Sequence, residues 1–323
     1  MDEEEPTVIK VGIHCRVTLT KGIGDIVTGV SEPFHNLITT IGLNSLADTE
    51  FDTYVTHCHV GTGDTPVALG HTALDTFVAG SSNVIFNDTS TQGTPPYFSQ
   101  RIKTWRFAAG TFNNHQIAEI GFSNQITTGN LFSRALVLTT FGDETTSWIR
   151  TDEWLDVVYD FRLYPQFVNA DGSNADGTGI ININGEDLAY TIRPANVSNI
   201  LYWDASKCRA QAMAVSTYYM AGYTSTSVLD IVTNQPTNPG GSDATTGNSS
   251  FSNATYTPGS YNRTISFQIG PDALNADYAG LGAVRFHTGM GAYQMSFVPP
   301  LYKWYEYSLN FRVNFAWSNL EGL

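Results

Sequence analysis

Between residues 155 and 163 apolar and polar side chains alternate one by one. Leu155, Val157, Tyr159, Phe161 and Leu163 fall on one face, and Asp156, Asp160 and Arg162 fall on the other. A period of two is the mark of a strand with one buried face. Similar alternation predicts strands around 8–20, 54–60, 101–107, 117–122, 131–138 and 212–219. One stretch departs from it. Phe34, Leu37, Ile38 and Ile41 recur at helical spacing, Ser31 is placed to cap, and Pro33 sits where a first turn tolerates proline, so a helix is predicted over 34–46. The pattern as a whole predicts an all-β, β-sandwich-like chain.

The alternation also repeats on a larger scale. Trp154, Phe161 and Arg162 in the strand just described match Trp304, Phe311 and Arg312, 150 positions on, with the apolar parity preserved. Arg101 and the strand after it match Arg263 and its followers at an offset of 162, and 118–122 loosely match 282–286 at 164. One deletion reconciles the offsets, because the long stretch 139–151 has only 298–303 as its counterpart. A weaker echo sets Asn36-Leu37-Ile38 against Asn199-Ile200-Leu201. These matches predict two tandem, diverged β-sandwich-like domains. The first spans 1–166 and holds the one short helix; the second spans 167–323, beyond the turn-rich 169–177. Within the second, 234–260 has almost no large apolar residue and is expected to be a long flexible loop.

Composition narrows the partners. Charged residues make up only 14 % of the 323-residue chain, against roughly 25 % in an ordinary soluble domain. Gly, Ser, Thr and Asn take their place, which suits turns and surfaces that meet other surfaces. Sixteen Lys and Arg against thirty Asp and Glu leave a net charge of −14, which argues against nucleic acid as a direct partner. The five lysines are scattered, so no polybasic membrane patch forms, and no apolar run reaches the roughly 18 residues of a spanning helix. Met1-Asp2-Glu3-Glu4-Glu5-Pro6 is the reverse of a basic signal-peptide start, so a soluble protein made in the cytosol is expected. Three cysteines, Cys15, Cys58 and Cys208, are an odd number without metal-site spacing.

Candidate chemistry is sparse. His57 and His59 share a strand face about 7 Å apart, but a metal would need a further ligand from another strand, and polar strand histidines flanking a buried Cys58 account for the pattern. The turn 171–177 misses the calcium-loop spacing at Ser173 and Ala175. Asp152-Glu153 and Glu186-Asp187 are adjacent strand residues that point to opposite faces. Gly61-Thr62-Gly63-Asp64-Thr65 lacks a phosphate loop's lysine, and tight-turn glycines explain it. No catalytic, cofactor or metal site is therefore predicted. The aromatics are the other resource. Most belong to cores, but Tyr202, Trp203, Tyr218 and Tyr223 are the candidates for an interface or for stacking on a glycan.

The order of several motifs resembles a known module. His35-Asn36-Leu37-Ile38 leads into Gly42-Leu43-Asn44-Ser45-Leu46. Then follow Val60-Gly61-Thr62-Gly63-Asp64-Thr65-Pro66-Val67, Thr72-Ala73-Leu74, Glu119-Ile120-Gly121-Phe122, Leu131-Phe132-Ser133-Arg134-Ala135 and the closing strand 155–163. Over residues 30–165 this succession is similar to a β-rich module of tailed-bacteriophage virion proteins, namely tail, collar and fibre-like components. The second half departs from it, since Ala-Val-Arg replaces Glu-Ile-Gly before Phe286. The resemblance implies a non-enzymatic virion protein made in the host cytoplasm, a homo-oligomer that meets the portal, tail tube or fibre. The alternatives are a host-glycan-binding module of the same particle or a capsid decoration protein. A surface-polysaccharide hydrolase is the least favoured.

Overall fold

The computed structural model describes residues 7–127, 129–138, 147–166, 177–183, 186–213, 220–223, 243–244, 249–271, 280–302 and 308–320. The chain is all-β and sandwich-like. Its first half begins with β1 (Thr7–Ile23) and β2 (Ile26–Val30), then the two-residue strands β3 (Phe34–His35) and β4 (Leu37–Ile38), helices α1 (Thr40–Ser45) and α2 (Phe51–Tyr54), and β5 (His57–Gly61). It continues through β6 (Phe77–Ser81), β7 (Val84–Gln92), β8 (Phe98–Phe107), β9 (His115–Gln116), β10 (Glu119–Ser123), β11 (Leu131–Leu136), β12 (Trp148–Ile149) and β13 (Trp154–Tyr164). The second half has β14 (Gly177–Ile183), β15 (Glu186–Pro194), β16 (Met220–Tyr223), β17 (Asp243–Ala244), β18 (Ser249–Asn253), β19 (Asn262–Ile269), β20 (Leu281–Thr288), β21 (Gly291–Leu301) and β22 (Leu309–Asn319).

One nine-stranded sheet, ordered β18-β19-β22-β1-β13-β8-β7 with β2 and β3 on the flank of β1, runs through both halves. Two smaller sheets cover its inner face. Phe122 of the five-stranded sheet β4-β11-β10-β5-β6 stacks on Tyr159 at 4.1 Å, and Phe286 and Phe297 of the six-stranded sheet β14-β15-β21-β20-β16-β17 meet Phe267 and Phe311 at 5.2 Å and 5.6 Å. The halves echo each other: β7-β8-β13 and β18-β19-β22 are antiparallel triplets, as are β5-β10-β11 and β16-β20-β21.

They do not separate at 166/167. Strand β1 pairs antiparallel with β13 and, at its N-terminal end, parallel with β22, so one strand belongs to both sandwiches and their core side chains form one cluster. The corner between the two helices adds a second join. Asp48 accepts from Arg263 and Gln211, Glu50 pairs with Lys207 and Arg209, and Asn44 accepts from Tyr256, while Asp52 holds Arg101 of the first half. Phe51, stacked 4.1 Å from Phe161, pins this corner to the shared sheet.

Four expectations are corrected. The helix over 34–46 shortens to Thr40–Ser45, and a second helix, Phe51–Tyr54, joins it. Thr39 caps the first helix by accepting from Gly42 N, whereas Ser31 accepts from Leu19 N. The helical spacing of Phe34, Leu37 and Ile38 arises because Phe34–His35 pairs with β1 and Leu37–Ile38 with β11. Part of 234–260 is not loop: Ser249–Asn253 pairs with β19, because ladder hydrogen bonds need no large side chain, while 224–242 and 245–248 lie outside the described residues. The repeat register also shifts. Offsets of 150 and 162 would set Arg263 opposite Phe311, but it faces Phe315, as Arg101 faces Phe161. Four residues are an even number, so parity survives the slip. Finally, Ile38 is fully buried whereas Leu201, its counterpart in the echo, is exposed, so that echo has no structural counterpart.

Candidate functional site

Three motif segments of the first half, 60–67, 119–122 and 131–135, distant in sequence, meet at one buried ion pair. Strands β10 and β11 pair with Gly121 opposite Arg134, which puts Arg134 diagonal to Glu119 on the same face. Ile120 and Phe122 point to the core, so by alternation this pair lies on the far face of the five-stranded sheet. A loop from Gly61 to Thr76 folds over it and closes through Thr62 N to Thr76 O at 2.9 Å.

The carboxylate of Glu119, which has no exposed surface, organises that loop. Its Oε1 accepts from Gly63 N at 3.1 Å and Thr76 N at 2.7 Å, and its Oε2 from Asp75 N at 3.0 Å and Arg134 Nε at 2.9 Å. Arg134 Nη2 is 2.8 Å from the same oxygen. Its Nη1 donates to Thr65 O at 2.9 Å and to His71 Nδ1 at 2.9 Å, and that nitrogen also accepts from Ala68 N. A charge pair removed from water is tolerated only when most of its polar atoms are hydrogen-bonded, as Arg134 Nε and Nη1 and both Glu119 oxygens are here.

The glycines of the motifs are required by close approach. A Cβ on Gly61 or Gly63 would stand 2.6 Å from Glu119 Oε1, and one on Gly121 would meet Leu131 and Leu74 at 2.8 Å and 2.9 Å. One on Gly42 would lie 2.0 Å from Phe132 O. Three loop amides and Arg134 take up the Glu119 oxygens, so this carboxylate is a fastening group. What it presents to solvent is the loop's outer rim, Asp64 to Gly70, with Leu69 45 % exposed.

The histidine strand is equally committed. Cys58 is in the core, His59 Nε2 is 2.7 Å from Gln125 O, and His57 Nδ1 is 2.9 Å from Thr56 Oγ1. Burial lowers the pKa of both histidines. It raises that of all three cysteine thiols, each of them buried. Among the described residues no three His, Cys, Asp or Glu side chains are grouped to hold a metal, and no helix is long and apolar enough to cross a membrane.

Of the aromatic candidates, the side chains of Trp203 and Tyr202 are described. Trp203 is interior: its Nε1 donates to Ala195 O at 2.8 Å, its ring lies 5.7 Å from Tyr293, and a Cβ on Gly291 would come within 2.4 Å of it. A Tyr-Trp pair in a turn carries no periodicity to reveal which ring turns inward. Tyr202 is half-buried between His287 at 5.2 Å and the Arg285 guanidinium at 5.3 Å. Tyr223 ends β16 opposite Ala283, and Tyr218 falls outside the described residues. Sequence reasoning missed the Glu119–Arg134 pair, although both residues stand in the motifs it singled out.

Comparison with family models, with curated proteins and with solved structures finds no match to this chain.

Proposed function

We propose that this chain is a structural subunit of a tailed-phage particle, a tail, collar or fibre-like component that assembles as a homo-multimer, meets the portal or tail tube, and catalyses no reaction. The carrying observation is that three of the motif segments behind the resemblance, 60–67, 119–122 and 131–135, converge on one buried ion pair whose hydrogen bonds fix an exposed loop. Burying two charges to hold surface residues still is costly, and it suits a subunit whose loops must present one shape to many identical neighbours. The low charge content and polar sheet faces agree with that role. The glycan-binding reading draws less support, because Trp203, the residue best suited to stack on a sugar, is enclosed in the core.

Antibody raised against the chain, applied to gradient-purified tailed particles and viewed by electron microscopy, tests the proposal. Regular multi-copy labelling on the tail or collar is expected. Recovery of the chain only in the soluble fraction, away from particles, would overturn it.

A further inference from the structure

The outer face of the shared nine-stranded sheet and the loop on the far side of the first sandwich differ in charge. On the outer face of the nine-stranded sheet stand Lys10, Arg16, Arg106, Arg162 and Arg312, each on the opposite parity to the buried residues of its strand. The acids of that face are Asp88, Asp156 and Asp160. It thus holds five of the chain's sixteen Lys and Arg but only three of its thirty Asp and Glu. Asp156 is engaged by Arg106 at 2.7 Å, and Asp160 by Arg16 and Arg162 at 3.2 Å and 2.8 Å, so these two acids are neutralised within the face, and Lys10, Arg312 and Asp88 are its exposed charged residues. Much of the remaining face is uncharged and half-exposed, including Thr18, Thr20, Gln100, Val158, Thr264 and Ser266.

The opposite face of the sandwich is the Gly61–Thr76 loop over Glu119. It carries exposed Asp64 and Asp75 and contains no lysine or arginine. An acidic chain with one cation-rich face has its complementary surface on other copies of itself.

We infer that this face is a self-association surface, on which the acidic Gly61–Thr76 loop of a second copy docks head to tail. The contact is heterologous, so it repeats into a ring or a stack instead of closing at a dimer. It deepens the particle-subunit reading by naming which surfaces of the subunit meet.

Sedimentation of the full-length chain tests it. Attraction between exposed charges extends about 10 Å at 0.1 M salt and about 3 Å at 1 M. The sedimentation coefficient should therefore rise with protein concentration at low salt and return to the monomer value near 1 M. Lys10→Glu and Asp64→Lys should each remove the low-salt association while keeping the native circular dichroism, and mixing the two variants should restore it, because their reversed charges face each other. A folded monomer at every salt concentration, or association that neither variant alters, would overturn the inference. Particles that label with a chain that never self-associates would sink this contact alone, and self-association by a chain absent from particles would sink the particle reading alone.

Discussion

The strand pair β10–β11 and its counterpart β20–β21 use the same antiparallel pairing for different ends. In the first, Gly121 faces Arg134 and Glu119 lies beside them, tying down a loop. In the second, Arg285 faces Gln294, Ala283 stands where Glu119 does, and Gln294 Nε2 donates to Pro194 O at 3.0 Å. Both pairs present a phenylalanine, Phe122 or Phe286, to the shared sheet. Since the second pair forms with no carboxylate at that position, the sheet does not need the Glu119–Arg134 charges. Their partners show what does: three backbone N–H groups of the Gly61–Thr76 loop and the carbonyl of Thr65.

The sharpest way to break this comparison is to remove one charge. Arg134→Met strands a buried carboxylate and should cost about 3–5 kcal/mol in urea unfolding. The matched change Gln294→Met removes a neutral hydrogen bond and should cost about 1–2 kcal/mol. Equal costs would mean that the ion pair is ordinary sheet packing.

Acid probes the strand that the two halves share. Burial, then His35, Arg16 and Arg162, push the pKa of His14 on β1 down to about 4 from an ordinary 6.5. A histidine more easily protonated when unfolded adds stability that is complete above pH 6.5 and lost as pH falls toward 4. Urea midpoints should decline across that window by an amount of the order of 2–3 kcal/mol, and His14→Gln should flatten the decline. Because β1 pairs with both β13 and β22, probes in either half should report the same loss.

The smallest effect separates the loop from its fastening. Gly63→Ala places a Cβ 2.4 Å from Asp75 Cβ and should cost about 1–3 kcal/mol and speed proteolysis within 64–73. Gly70→Ala, with nothing within 4 Å, should do neither.

Much of the fold is legible from alternation. The faces of 155–163 are as the pattern predicts, with Leu155, Val157, Tyr159, Phe161 and Leu163 all buried. What escaped the sequence is what tertiary pairing creates. The parallel ladder between Thr7–Ile13 and Val313–Asn319 joins opposite ends of the chain, and no local pattern encodes it. The apparent helix before Thr40 is two short strands pairing with different partners. The Glu119–Arg134 centre was hidden for another reason: its donors are largely backbone amides, which every sequence carries, and only the glycines that let them approach left a mark. Trp203 misled because an aromatic next to Tyr202 in a turn reads as surface.

On the proposed reading, the first half fixes the Gly61–Thr76 loop in order to meet a neighbouring subunit. An electron cryomicroscopy map of the tailed particle that resolves its individual subunits tests this most directly. The account predicts repeated copies of this fold, with the Gly61–Thr76 loop of each seated on the nine-stranded sheet of the next. A particle without the fold, or one in which that loop faces open solvent in every copy, would contradict it.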